Sequence, residues 1–230
     1  MDLEAQRAFY EEIRPILEAE YGWPEWKPRH PAVDELVLTI LSQNTNDSNS
    51  SAAYENLREA FPSWAQVRDV DVEEIADAIK VAGLSNQKAP RIQNALRTIT
   101  QERGELSLDF LAEMPVEDAK KWLKDLKGVG PKTAAIVLLF SLGMPAFPVD
   151  THIYRVTRRI GLIAEDVSYE KAHDLLEEIV PEEHYFPFHI DLIRHGRALC
   201  HARSPECERC PLQNHCEYYA QQALEAAQES

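Results

Sequence analysis

The sequence predicts an all-α protein, and three observations carry that expectation. Apolar residues recur every three to four positions through nearly the whole chain, the period of helices with one buried face. Gly, Pro, Ser and Asp interrupt the pattern at intervals of roughly 10 to 20 residues, the length of ordinary globular helices. No run alternates apolar and polar residues as a half-buried strand requires. The 230 residues suffice for a sizeable core, and 44% hydrophobic with 27% charged residues is an ordinary globular composition.

Residues 2–21 form a first amphipathic helix, with Leu3, Phe9, Ile13 and Leu17 roughly on one face. Gly22-Trp23-Pro24-Glu25-Trp26-Lys27-Pro28 breaks it and reads as a linker. A helix over 32–43 is nearly all apolar in 36–41, so it is expected to be buried. Asp47 is positioned to cap a helix over 48–61, and Asp71 one over 72–81. A long helix follows at 86–103 and a short one near 108–113. Pro115 then leads into 116–126, at a helix start where its missing N–H costs nothing. After Lys127-Gly128-Val129-Gly130 a helix restarts at Pro131 and runs apolar to Leu142. Later helices cover 150–160, 168–180 and 185–199, and the Ala/Gln/Glu-rich end at 216–230 reads as a fraying helix.

No run approaches the roughly 18 apolar residues that span a bilayer. The polar N-terminus lacks the pattern of a secretory signal, which makes the cytosol the expected compartment. A net charge of -15 argues against nucleic acid, but its distribution does not. Residues 121–160 hold Lys121, Lys124, Lys127, Lys132, Arg155, Arg158 and Arg159 against Asp125 and Asp150 only. Such a segment is a candidate phosphate-binding face or a chance cluster on solvated helices.

The central motif is Leu126-Lys127-Gly128-Val129-Gly130-Pro131-Lys132-Thr133-Ala134-Ala135. Two helices flank a tight turn, and the free N–H groups of the second helix suit a phosphate oxygen. An ordinary helical hairpin would use the same glycines. Lys132 falls in the first turn, where the helix dipole disfavours an ammonium. An amine must shed its proton before it attacks carbon to form a Schiff base. Without an acid partner, Lys132 reads as a plain exposed lysine. Asp150, in Pro148-Val149-Asp150-Thr151-His152-Ile153, is a helix cap that could also stabilise positive charge building on a sugar. His152 is either a DNA contact or a polar core residue.

All four cysteines lie close together as Cys200-x6-Cys207-x2-Cys210-x5-Cys216. In a cytosolic protein this spacing argues for metal over disulfides, as zinc or a [4Fe–4S] cluster. The site would pin the 200–207 loop, whose His201 and Arg203 are placed to reach DNA.

Taken together, residues 126–134, Val-Asp-Thr-His-Ile at 149–153 and His-Gly-Arg at 195–197 before the first cysteine resemble the endonuclease III family of helix-hairpin-helix glycosylases. The segments Gly83-Leu84-Ser85-Asn86-Gln87-Lys88-Ala89 and Ile40-Leu41-Ser42-Gln43-Asn44-Thr45 are similar to that family's DNA-facing loops. The resemblance covers about residues 30–218 and selects the [4Fe–4S] cluster on Cys200, Cys207, Cys210 and Cys216. It implies a six-helix domain at 30–143, a cluster domain from 1–29 plus 144–230, and a DNA cleft between them. It implies Lys132 as nucleophile of a glycosylase and abasic-site lyase, with Asp150 as carboxylate partner. Gly128, Val129 and Gly130 would hold the DNA backbone, while Asn44 and Leu84 fill the space of the extruded nucleotide. The implied protein is a monomer that excises oxidised pyrimidines from duplex DNA and, in the cytoplasm, associates with the nucleoid.

Two residues depart from the family pattern. Asn44 stands where the family usually has Gln, a role that Gln43 could share, and Glu206 stands where a basic residue would help the 200–207 loop. A mismatch glycosylase of the adenine branch would need a catalytic Glu where this chain has Thr39. Lys132 speaks against a mismatch enzyme without lyase activity, and Lys132 with Asp150 against a binding module without chemistry.

Overall fold

The computed structural model describes residues 1–228. It is helical, with no strand among the described residues, and divides into two compact units. One is Lys27–Met144, and the other joins Met1–Trp26 to the chain from Pro145 onward.

The first helix, α1 (Leu3–Tyr21), belongs to the second of these units. Lys27–Met144 carries α2 (Ala32–Ser42), α3 (Asp47–Ala60), α4 (Trp64–Asp69), α5 (Val72–Ala78), α6 (Ser85–Arg103), α7 (Val116–Asp125) and α8 (Pro131–Leu142). α2 is buried on nearly every side because it packs against α8, α3 and α6. That environment is why its sequence is apolar almost all round rather than striped. Glu35, wholly buried within it, is held by two guanidinium nitrogens of Arg29, which also lies over the Phe140 ring. A buried carboxylate is costly without such a partner.

Three local expectations change. A short helix not expected from the apolar pattern, α4, begins in a reciprocal capping box between Ser63 and Gln66. The cap of α3 is Asn46 rather than Asp47, its side chain accepting from the Asn49 N–H at 2.8 Å. Asp71 precedes α5 but its side chain makes no capping bond, and α5 gives way at Lys80–Ala82 to a 3-10 turn.

The other unit adds α9 (Thr151–Ile160), α10 (Tyr169–Ile179), α11 (Tyr185–Ala198) and α12 (Glu217–Gln228) to α1. α11 packs against α9 and α1, and α12 against α9. Gly196 permits the close approach of α9, since a Cβ there would lie 2.9 Å from the His152 Cβ. No helix among the described residues is long and apolar enough to cross a membrane.

Candidate functional site

The hairpin is built by burying two apolar residues around an exposed turn. Leu126 and Val129 are buried, and the Val129 N–H donates to the Leu126 carbonyl at 3.0 Å. Between them Gly128 has φ +89°, and a Cβ there would meet Arg91 Cδ at 2.6 Å. Glycine is required twice over, by backbone angle and by space. Val129 packs inward, so only its backbone groups can face a phosphate. Gly130, extended and without a side-chain cap, precedes Pro131 at the helix start. The first N–H groups of α8 are thereby left for an external acceptor. Lys132 follows at once, half-buried.

Two further loops belong to this unit. Asn44 (φ 52°) and Leu84 (φ 50°) both adopt the left-handed conformation. Asn tolerates it, but for Leu it is costly and persists only where the surroundings impose it. Leu84 is also 47% exposed, so a strained apolar side chain is presented to solvent. Gln43 ties the first of these loops to the hairpin and to α6: its Nε2 donates to the Gly128 carbonyl at 3.2 Å, and its Oε1 accepts from Arg91 at 3.0 Å. Sequence reasoning missed Arg91, because nothing local separates it from the other arginines of α6.

In the other unit Asp150 caps α9, Oδ1 accepting from the Ile153 N–H at 2.8 Å. It is 7% exposed. Nearby Tyr169 has its pKa pushed up to about 12, by burial and then by the Asp150 charge. Its hydroxyl donates to the Val149 carbonyl at 2.6 Å, bracing the strand of backbone that delivers Asp150.

The four cysteines line one cavity, together with His195, Arg159 and Tyr218. Among the described residues no His, Cys, Asp or Glu side chains form a single-ion group. A lone zinc needs its sulfurs within about 2.3 Å of one point, whereas four thiols around a cavity suit a polynuclear cluster. Burial pushes up the thiol pKa of Cys207 and Cys216 and takes that of Cys210 to about 11, so iron charge is what would hold them as thiolates. Burial also takes His195 down to about 4. Its neutral ring stands between the Tyr21 hydroxyl at 3.1 Å and Cys210 Sγ at 3.7 Å.

Part of the expected basic face is turned inward, two of its arginines at this site. Arg159 donates to the His201 and Ala202 carbonyls and to Cys200 Sγ, and lies over Tyr218. Arg155 donates to the Cys200 and Gly196 carbonyls and meets His152 Nδ1 at 3.0 Å, and Arg158 donates to the Glu165 carbonyl. Three of the seven cations therefore brace their own unit. Lys121, Lys124 and Lys127 remain exposed. Glu206 in the cysteine loop pairs with Arg209 and, at 3.5 Å, with His201.

Residues 37–182 match the family model described as HhH-GPD superfamily base excision DNA repair protein. Endonuclease III of Sulfolobus acidocaldarius is 34% identical over 186 residues, covering 80% of this chain and 81% of its own. The chain belongs to the endonuclease III family. Residues 200–216, bounded by the first and last cysteines, match the iron-sulfur binding domain of endonuclease III, so the family's [4Fe–4S] cluster is this protein's cofactor. A candidate DNA glycosylase of Arabidopsis thaliana is 38% identical over 165 residues, 72% of this chain, which spans 56% of that protein's length. A solved structure of a trapped endonuclease III–DNA covalent intermediate superposes with TM-score 0.80 at 27% identity, covering 97% of this chain and 99% of that one. This family member is an endonuclease III-like base excision repair DNA glycosylase.

Proposed function

We propose that the protein is a bifunctional DNA glycosylase and abasic-site lyase that removes oxidised pyrimidines from duplex DNA, acting as a monomer. The observation that carries this reading is Lys132: a half-buried amine in the first turn of α8, directly after a hairpin with uncapped N–H groups. Those groups, on the turn of Gly128, Val129 and Gly130, would take a DNA phosphate without reading sequence. The target nucleotide must leave the stack, because its anomeric carbon is unreachable inside a duplex. Asn44 and Leu84 would fill the vacated space, with Gln43 beside them, and their left-handed backbones and exposure support that role.

In the chemical step the uncharged Lys132 amine attacks the anomeric carbon and the damaged base leaves with the bonding pair. The ring opens to a protonated Schiff base. That cation acidifies the neighbouring carbon, whose proton is lost as the bond to the 3′ phosphate oxygen breaks. Water then hydrolyses the Schiff base and frees the lysine. The Asp150 carboxylate is assigned to the positive charge that builds on the sugar and to proton transfer around the amine. Cys200, Cys207, Cys210 and Cys216 would hold the [4Fe–4S] cluster, which closes the 200–216 loop and enters no step of the reaction.

The mismatch reading is disfavoured at Thr39, which is buried and donates its hydroxyl to the Glu35 carbonyl rather than offering an acid. Borohydride trapping on duplex DNA with an abasic site tests the proposal. A covalent adduct is expected with the parent and none with Lys132→Ala, while Asp150→Asn should slow its formation by roughly a hundredfold or more. An adduct that persists in Lys132→Ala, or its absence in the parent, sinks the assignment.

A further inference from the structure

Lys88 is 1% exposed, on the same buried face of α6 as Ala89 and Ile92. A lysine head in such a place is disfavoured unless polar groups of the protein receive it. Its Nζ donates to the Leu41 carbonyl at 2.7 Å and to the Ala82 carbonyl at 2.9 Å. Both acceptors come from helix ends, where carbonyls lack partners within the helix. Leu41 lies in the last turn of α2, three residues before Asn44. Ala82 ends the Lys80–Ala82 turn, two residues before Leu84. One buried amine thus joins the roots of the two loops that carry the left-handed residues. One turn further along α6, Arg91 holds Gln43 of the first loop.

We infer that Lys88 is a positioning residue for lesion recognition: it fixes the spacing of Asn44 and Leu84 so that the two side chains enter the duplex as one body. The inference rests on the proposed role of those two residues. Two wedges on separately mobile loops would each lose freedom on insertion, whereas a clamped pair is ordered beforehand. Burial, and after it the charge of Arg91, lowers the Lys88 pKa. An uncharged amine keeps two N–H donors for its two carbonyls, so the clamp survives loss of the proton.

The test uses the full cluster-loaded chain and a duplex with a tetrahydrofuran abasic analogue facing 2-aminopurine. Affinity relative to an undamaged duplex is read together with the 2-aminopurine signal at saturation. Helix content and visible iron-sulfur absorbance report folding separately. Leu84→Ala is expected to lower the preference for the abasic duplex roughly tenfold, and Lys88→Met by a similar factor. The double variant should lose little beyond Leu84→Ala alone, because both changes disable the same wedge. If Leu84→Ala leaves the preference intact, the wedge reading fails and takes the inference with it. If Leu84→Ala lowers it while folded Lys88→Met does not, the wedge reading stands and the Lys88 assignment is overturned. Should Lys88→Met lose its helices or cluster, Asn44→Ala and Leu84→Ala with their double variant decide, since both sites are exposed. A single inserting body predicts losses that do not add, and additive losses overturn the inference.

Discussion

Replacing Asp191 by Asn is expected to raise stability at about pH 8 and to do progressively less as the pH falls towards about 5. Asp191 lies on α11 with no exposed surface, and neither carboxyl oxygen has a hydrogen-bond partner among the described residues. The Arg194 guanidinium, itself half exposed, comes no nearer than 3.7 Å. Burial therefore takes the carboxyl up to about 7, against the pull of Arg194 and with a small push from Glu18. In the unfolded chain the same group sits near 3.9. A raised folded pKa means that the native state binds the proton more tightly, so stability is greatest below about 4 and drains away as the pH climbs through 7. The gap corresponds to on the order of 4 kcal/mol once both forms are ionised. Asn removes that cost and adds one of its own, an unpaired amide of about 1–3 kcal/mol that does not vary with pH. The diagnostic quantity is thus the difference in melting midpoint between variant and parent, followed across pH at one scan rate. It should rise by several degrees between about pH 5 and pH 8, at roughly 2–4 °C per kcal/mol for a chain of this size. A constant offset at every pH would refute the reasoning.

Three further outcomes are expected. Gly128→Ala forces a Cβ into Arg91 at φ +89°, which should cost about 1–3 kcal/mol of stability in denaturant titrations. It should also weaken binding to undamaged duplex, because Arg91 is pushed off Gln43; parent-like behaviour would mean the turn relaxes freely. Glu35→Gln removes the buried charge that the half-exposed Arg29 pairs with and should cost about 1–3 kcal/mol, with trapping per folded molecule unchanged. Arg159→Leu removes the bonds to His201, Ala202 and Cys200 Sγ. The visible iron-sulfur absorbance should then decay faster under a chelator, and an unchanged decay would show that the thiolates hold the loop alone.

What the chain determined by itself is local. The 3.6-residue period places the helices because one buried face repeats within a single element, and Gly128 and Pro131 specify the hairpin because each answers a backbone demand of its own turn. Four cysteines in one short stretch declare a metal site for the same reason. The capping box at Ser63 and Gln66 was equally local, and legible, but lay between louder apolar runs. Packing between distant segments decided the rest. No neighbour in sequence says that Leu84 is held left-handed, or that Arg155 and Arg159 turn inward to brace a cysteine loop more than 40 residues away. Lys88 reads as one more helix-surface charge until α2 and the Lys80–Ala82 turn bring their carbonyls to it. A side chain's charge is written in the sequence, but which groups it must satisfy depends on what the fold carries alongside it.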